Sequence, residues 1–280
     1  MRSAPMPAML PAILVAMMLT ACARPAAAPQ DTSSASATAA AAAATVTPAK
    51  APTAPPATAR KVAEANDLYD FAYAYPAQAA AIADLKAWLD KDLAKQKAAL
   101  IADASEGRKD AKQNDYPFHA YEGSTTWQVV TDLPGWLSLS AAIDSYTGGA
   151  HPNHWFGALL WDKAANARRA AVDLFTSQAA LKAAIARPFC AALDRARKER
   201  RGGEDWGGDG IDEFTRCIDP LEQVVILGSK GGKGFDRIGF LIAPYNAGPY
   251  AEGDYEVTLP VTPALLATVK PEYRSAFALP

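Results

Sequence analysis

The scarcity of large apolar residues in the segment 23–60 constrains the fold more than any other feature of this chain. Residues 23–60 consist mainly of Ala, Pro, Thr and Ser and contain only four charged residues. Such a composition cannot offset the entropy lost on ordering. We therefore expect a disordered tether over residues 22–60. The folded part should occupy residues 61–280, as one domain or as two subdomains at 61–165 and 166–280.

An apolar segment precedes the tether. Residues 9–19 match a secretory signal in length and fall short of the roughly 20 apolar residues that span a bilayer. The following Leu19-Thr20-Ala21-Cys22 resembles the lipobox of bacterial lipoproteins. It predicts a signal peptide over residues 1–21 and lipid on the Cys22 thiol. An ordinary signal peptide with an incidental cysteine is the alternative.

The residue after that cysteine bears on localisation. In Gram-negative bacteria the residue at this position is part of the sorting signal, and Ala23 resembles the signals that release lipoproteins to the outer membrane. We therefore expect the chain on the periplasmic face of the outer membrane, held there by its lipid alone, since no other segment reaches transmembrane length.

The charge of the folded part restricts its partners. The chain has 28 Lys and Arg against 30 Asp and Glu, for a net charge of −2. All but four of the basic residues and all but one of the acidic residues lie at 61–280, so this part carries a net charge of about −5. Nucleic acids and anionic membrane surfaces need a basic face and are not expected as partners. A cationic partner is compatible with this charge.

Two cysteines remain besides Cys22. Cys190 and Cys217 form an even pair in an oxidising compartment, which predicts a disulfide. Two buried thiols are the alternative.

Hydrophobic periodicity predicts an α+β fold, with antiparallel sheets packed against a long N-terminal helix and a second helix. Aromatic residues alternate along residues 68–75, which is typical of a strand. The stripe from Ile82 to Leu100 predicts a helix over 77–106 that stops at Gly107. A second helix is expected over 177–200, kinked or split by Pro188. Further strands are predicted at 125–131, 137–147 and 155–162 as an antiparallel meander, and at 224–227, 235–242 and 255–259.

No catalytic motif is present in the sequence. The Gly-x-Ser-x-Gly, Ser-x-x-Lys, His-Glu-x-x-His and Cys-x-x-Cys patterns are missing, and the Gly- and Lys-rich residues 228–234 fit a hairpin turn better than a phosphate loop. His119, His151 and His154 would bind zinc only if the fold gathered them. Histidines in turns are the alternative, and we expect neither a metal nor a cofactor.

Two segments resemble a known family. Residues 145–151 read SYTGGAH and are followed by a strand and by DLF at 173–175, and residues 240–253 read FLIAPYNAGPYAEG. Over about residues 62–270 the chain is similar to the paired domains of unknown function in the extracellular part of RsiV-type anti-sigma factors. The same pair precedes the catalytic domain of some peptidoglycan deacetylases.

This resemblance implies a non-catalytic α+β domain that recognises a cell-envelope protein or peptidoglycan, with lysozyme as the ligand in the anti-sigma members. The chain shows no transmembrane segment and no second domain for a deacetylase site, so we expect neither sigma-factor signalling nor deacetylation to carry over. A metal-assisted peptidoglycan-modifying enzyme is the alternative function. The expected ligand-binding residues lie in the two signature segments and just beyond the first: Tyr146, Gly148, Gly149, His151, His154, Tyr245 and Tyr250.

The lipid anchor is testable by a single substitution. We expect Cys22→Ala to abolish lipidation, because only that thiol can carry the lipid. The variant should leave the detergent phase in a phase-partitioning assay, whereas a Cys190→Ser/Cys217→Ser control should still partition with detergent. Retention of lipid by the Cys22→Ala chain would refute the assignment.

Overall fold

The computed structural model describes residues 57–203 and 211–280. The predicted signal peptide, Cys22 and the tether up to residue 56 lie outside the described residues, as does the glycine-rich segment 204–210. The described residues belong to one compact unit. It has the expected α+β architecture and contains two sheets, each with its own hydrophobic core.

The larger sheet has six strands in the same order as in the sequence. Strands β3, β4 and β5 form the predicted antiparallel meander. Two strands were not predicted: the edge strand β1 and the three-residue β6. The bounds are β1 Arg60–Ala65, β2 Tyr69–Tyr75, β3 Tyr121–Asp132, β4 Trp136–Tyr146, β5 Asn153–Asp162 and β6 Ala167–Arg169.

One strand pair departs from the expected antiparallel arrangement. β2 and β3 run parallel, with Tyr69 opposite Tyr121. Parallel neighbours need a crossover connection. The chain makes it through the short helix α1 (Ala77–Ala80) and the long helix α2 (Ala83–Gln113). The predicted N-terminal helix therefore serves as the crossover that covers one face of the sheet.

The first core lies between α2 and this sheet. The alternating aromatics lie on the predicted strand β2 and point inward, and Phe71, Tyr73 and Tyr75 are at most 2% exposed. They pack with the buried leucine stripe of α2, which includes Leu85 and Leu89. The tyrosine hydroxyls reach carboxylates on α2, and the Tyr75 hydroxyl donates to Asp90 at 2.7 Å. Burial, followed by this hydrogen bond, raises the pKa of Tyr75 to about 12.

The predicted helix stop at Gly107 is wrong, because α2 continues to Gln113. The glycine has a packing role instead. A β-carbon at position 107 would come within 2.6 Å of the Tyr121 Cζ atom. Gly107 therefore allows the start of β3 to lie against the helix.

The second core lies between the smaller sheet and α3. The sheet is antiparallel in the order β7-β8-β9. Phe189 of α3 meets Phe240 of β8 edge to face, with ring centroids 5.1 Å apart. Pro188 lies inside α3 without splitting it. The bounds are α3 Gln178–Arg200, α4 Asp212–Thr215, β7 Val224–Gly228, β8 Arg237–Ile242, β9 Tyr255–Pro260 and α5 Pro263–Ala267, with short 3-10 helices at Ala171–Leu174, Pro220–Glu222, Tyr250–Glu252 and Pro271–Ala276.

The glycine-rich segment 228–234 connects β7 to β8, as predicted for a hairpin turn. The Asp236 carboxylate accepts hydrogen bonds from the Lys230 and Gly231 amides, at 2.9–3.0 Å. The turn therefore carries its own anion. Among the residues that the structure describes, no helix combines the length and apolar composition needed to cross a membrane.

The contact between Gly107 and Tyr121 can be tested by a double-mutant cycle. We expect Gly107→Ala to destabilise the protein by about 1–2 kcal/mol, because overpacking against the Tyr121 ring outweighs the helix propensity gained. In a Tyr121→Leu background the same change should be neutral or stabilising. The free energy of unfolding in urea measures both effects.

Gly135→Ala is the matched control, because no atom lies within 4 Å of a β-carbon at that position. An equal effect of Gly107→Ala in both backgrounds would contradict the packing role.

Candidate functional site

The first signature segment forms the turn between β4 and β5. Gly148 and Gly149 have φ angles of 100° and 109°, a region that favours glycine. The Tyr146 hydroxyl at the end of β4 donates to the Gly149 carbonyl at 3.0 Å and closes the turn. His151 follows on the far side of the turn.

The second signature segment is the loop 243–254 between β8 and β9. Its first part doubles back at Tyr245, a non-glycine residue with a φ of 71°. The Tyr245 amide donates to the Gly248 carbonyl at 3.1 Å. Left-handed backbone at a tyrosine is strained and persists only when its surroundings hold it. The bend leaves the Tyr245 side chain 52% exposed.

The two segments meet through His151. Its ring stacks on Tyr250, with centroids 3.6 Å apart and planes 16° apart, and its Nε2 atom lies 3.0 Å from the Tyr245 hydroxyl. Its Nδ1 atom lies 2.9 Å from the Pro152 carbonyl oxygen, which can only accept, so Nδ1 donates there. In neutral His151 the Nε2 atom then accepts from Tyr245. We call His151, Tyr245 and Tyr250 the aromatic patch.

The aromatic patch is on the surface. Tyr245 is exposed, and His151 and Tyr250 are half-buried. The rings therefore do not belong to either hydrophobic core, as fully buried tyrosines of a purely structural motif would.

His154 is not part of the aromatic patch. It sits on β5, where its Nδ1 atom is 2.6 Å from Asp144 Oδ1 across the strand pair. His119 is exposed in the segment between α2 and β3. Within residues 57–203 and 211–280, no three His, Cys, Asp or Glu side chains come together as a metal site would require. The structure gives the metal-assisted alternative no support.

An acidic groove adjoins the first signature turn. Asp70, Glu122 and Asp144 line a groove of about 320 Å³ together with Tyr146 and Pro152. Asp70, Glu122 and Tyr146 lie opposite one another on neighbouring strands. Residues paired across strands share one face of a sheet, so the carboxylates and Tyr146 point to the same side.

A buried ion pair holds the second segment in place. Arg201 at the end of α3 binds the Glu252 carboxylate with its Nε and Nη2 atoms at 2.8 and 3.0 Å. The two side chains are 5% and 9% exposed. The Tyr255 hydroxyl also donates to Glu252. A β-carbon at Gly248 would overlap this carboxylate, so the loop can close over Glu252 only with glycine there.

The charge states of this pair follow from its geometry. Burial by itself raises the pKa of Glu252, but the hydrogen bonds from Arg201 and Tyr255 outweigh it and leave that pKa below its ordinary value. The hydrogen bond to Glu252 raises the pKa of Arg201. Both groups are therefore ionised at neutral pH.

Arg197 adds a second anchor. Its Nε atom donates to the Ala247 carbonyl of the loop at 2.8 Å, and its Nη1 atom donates to the Arg216 carbonyl at 2.8 Å. The disulfide between Cys190 and Cys217 is present, with Cα atoms 5.3 Å apart. It ties α3 to the residue after Arg216. The arginines and the disulfide together fix α3 to residues 216–217 and to the loop 243–254.

Sequence reasoning missed this anchor. A signal was available, because Leu181, Ile185, Phe189, Leu193 and Arg197 recur every four residues on one face of α3, and Arg201 continues the series. A charged residue that continues an apolar stripe faces the same core and needs a buried partner.

Part of this chain matches a known protein family. A family model described as Deacetylase PdaC matches residues 62–154, which run from β1 to the first residues of β5 and include the His151 turn. The match covers about a third of the chain, and its name labels the family without assigning an activity to this protein. No curated protein matches the sequence.

Two solved structures of DUF3298 family proteins are similar to this chain. One, from Bacteroides fragilis, is 17% identical, with 72% of this chain and 88% of that chain covered and a TM-score of 0.49. The other, from Pseudomonas aeruginosa, is 13% identical, with 78% and 96% covered and a TM-score of 0.47. We draw no functional argument from either likeness.

The buried pair predicts a pH dependence of stability. Because the folded state lowers the pKa of Glu252, its contribution is present above the ordinary value of 4.5 and is lost as the pH falls through the lowered value. We expect Glu252→Gln to cost on the order of 3 kcal/mol at pH 7, since it leaves Arg201 without its buried counter-ion. The gap between wild type and variant should shrink below pH 4.5.

Urea unfolding at several pH values measures this gap. Glu256→Gln, which changes an exposed glutamate on β9, is the control and should show little effect at any pH. A gap for Glu252→Gln that stays constant down to pH 3 would contradict the assignment.

Proposed function

We propose that this protein is a non-catalytic cell-envelope lipoprotein whose domain binds a cationic protein at the aromatic patch and the acidic groove, with lysozyme as the first ligand to test. The observation that carries this proposal is the joining of two distant segments by His151, while the rings remain accessible. A motif that served only the fold would have buried them.

The composition of the patch supports a binding role. Tyrosines contribute much of the energy of many interfaces, because their rings are large and lose little conformational freedom on binding. Here the loop is already held by the Arg201–Glu252 pair before a ligand arrives. A fixed loop avoids the entropy of ordering, which favours affinity.

The charge next to the patch favours a cationic partner. The acidic groove places three carboxylates on the sheet face that also bears Tyr146. Complementary charge speeds association and selects the partner, and its effect falls with added salt. The negative net charge of residues 61–280 acts in the same direction.

The anchor and tether complete the proposal. Lipid on Cys22 would hold the chain at the periplasmic face of the outer membrane, and the Ala- and Pro-rich segment would let the domain reach away from that surface. This arrangement suits a protein that meets its ligand within the envelope.

The binding site is testable by substitution of one patch tyrosine. We expect Tyr250→Ala to weaken lysozyme binding by about tenfold or more, because it removes the ring on which His151 stacks, while the melting temperature stays nearly unchanged. Surface plasmon resonance at two salt concentrations measures the affinity and its charge dependence.

Tyr116→Ala is the control, because Tyr116 is an exposed tyrosine on the segment after α2, outside the aromatic patch and the acidic groove. A pelleting assay with insoluble peptidoglycan forms the second arm. Loss of folding in Tyr250→Ala, or equal binding by wild type, Tyr250→Ala and Tyr116→Ala, would remove the case for this site. Binding to peptidoglycan and not to lysozyme would reassign the ligand.

A further inference from the structure

A second concave site lies between the two sheets, away from the aromatic patch. It is a groove of about 340 Å³ lined on one side by Phe156, Ala158 and Leu160 of β5 and on the other by Val224 and Ile226 of β7. The β5 residues are two apart along the strand and share one face, the face opposite α2. Their side chains are apolar, and besides Arg169 the polar residues of the lining are Ser138 and Gln223.

One cation closes an end of this groove. Arg169 of β6 pairs with Leu160 of β5, so its side chain shares the groove face. Within residues 57–203 and 211–280, Arg169 Nε is one of two buried side-chain nitrogen or oxygen atoms without a hydrogen-bond partner. The other is Trp161 Nε1. Trp161 belongs to the core on the α2 side of the sheet.

The guanidinium is only partly neutralised. Its Nη2 atom lies 3.7 Å from Asp162 Oδ2, which is within ion-pair distance but too long for a hydrogen bond. The Asp162 carboxylate instead accepts the Ala164 and Ala165 amides through Oδ1, at 3.1 and 2.9 Å. A buried N–H donor without an acceptor is costly, and such atoms are rare in folded proteins.

We propose that this groove binds a single-chain aliphatic carboxylate, with the chain between β5 and β7 and the carboxylate on Arg169. A guanidinium recognises a carboxylate through two parallel N–H donors. The Arg169 side chain is 36% exposed, so it has room to turn its unpaired Nε–H towards a carboxylate in the groove. The apolar walls match an alkyl chain. The groove volume lies at the lower end of the roughly 300–1,000 Å³ typical of small-molecule sites, which suits one chain rather than the two of a phospholipid.

This groove is independent of the proposed protein-binding site. None of the residues of the aromatic patch or the three carboxylates of the acidic groove lines it. A failure of one proposal therefore leaves the other standing.

The test uses residues 57–280, which contain both sheets and both cores. Sodium dodecanoate, below its micelle concentration, is titrated into the protein and followed by calorimetry. We expect one site per chain and at least tenfold weaker binding to Arg169→Gln. Arg168→Gln is the matched control, because Arg168 lies over the Trp88 ring rather than in the groove and should bind as wild type does.

Two further arms separate the groove from general affinity for detergents. Ala158→Trp should abolish binding, since it fills the groove from an exposed position without lowering the melting temperature. Dodecyltrimethylammonium, a cation of equal chain length, should not bind. The proposal is overturned if wild type does not bind dodecanoate, if both amphiphiles bind alike, if Arg169→Gln and Arg168→Gln behave alike, or if anionic phospholipid vesicles bind where dodecanoate does not.

Discussion

The buried pair between Arg201 and Glu252 is the interaction on which the candidate site depends. It holds a loop that contains a strained tyrosine and two prolines to the end of a long helix. Removing two charges from water is unfavourable unless geometry and further hydrogen bonds compensate. Here two guanidinium contacts and the Tyr255 hydroxyl supply that compensation. The pair therefore fixes the shape of the loop, and removing one partner would leave the other charge buried without compensation.

The position of the aromatic patch follows from how the two sheets form their cores. The larger sheet forms the first core with α2, and the smaller sheet forms the second core with α3, to which Trp136 and Leu160 of the larger sheet also contribute. The loop 243–254 buries Ala247 in the second core, but the rings of Tyr245 and Tyr250 lie outside both cores. His151 contacts both rings, and because it stacks and hydrogen-bonds at once, it fixes the two tyrosines relative to each other.

Sequence patterns predicted the elements whose apolar residues repeat. The aromatics of β2, the leucine stripe of α2 and the alternation in β4 all identify a buried face. β1 was not predicted because its sequence, RKVAEA, has only one large apolar residue. This mostly exposed strand is held by backbone pairing to β2 and by a Lys97–Glu64 ion pair. Alternation does not reveal direction, so the parallel pairing of β2 and β3 was not visible. The contact between His151 and the tyrosines depends on how two sheets pack, which no local pattern records.

The parallel pairing of β2 with β3 also bears on how fast the chain folds. The whole of α2 lies between Tyr69 and Tyr121 in the sequence, so the two strands cannot pair outward from a tight turn as the β3–β4 hairpin can. Non-local pairings of this kind close large loops before they gain contacts, and they slow folding. Until α2 docks, the aromatic face of β2 stays uncovered. The folding chain exposes that apolar surface, and the speed at which α2 packs onto it decides how long the chain is prone to aggregation.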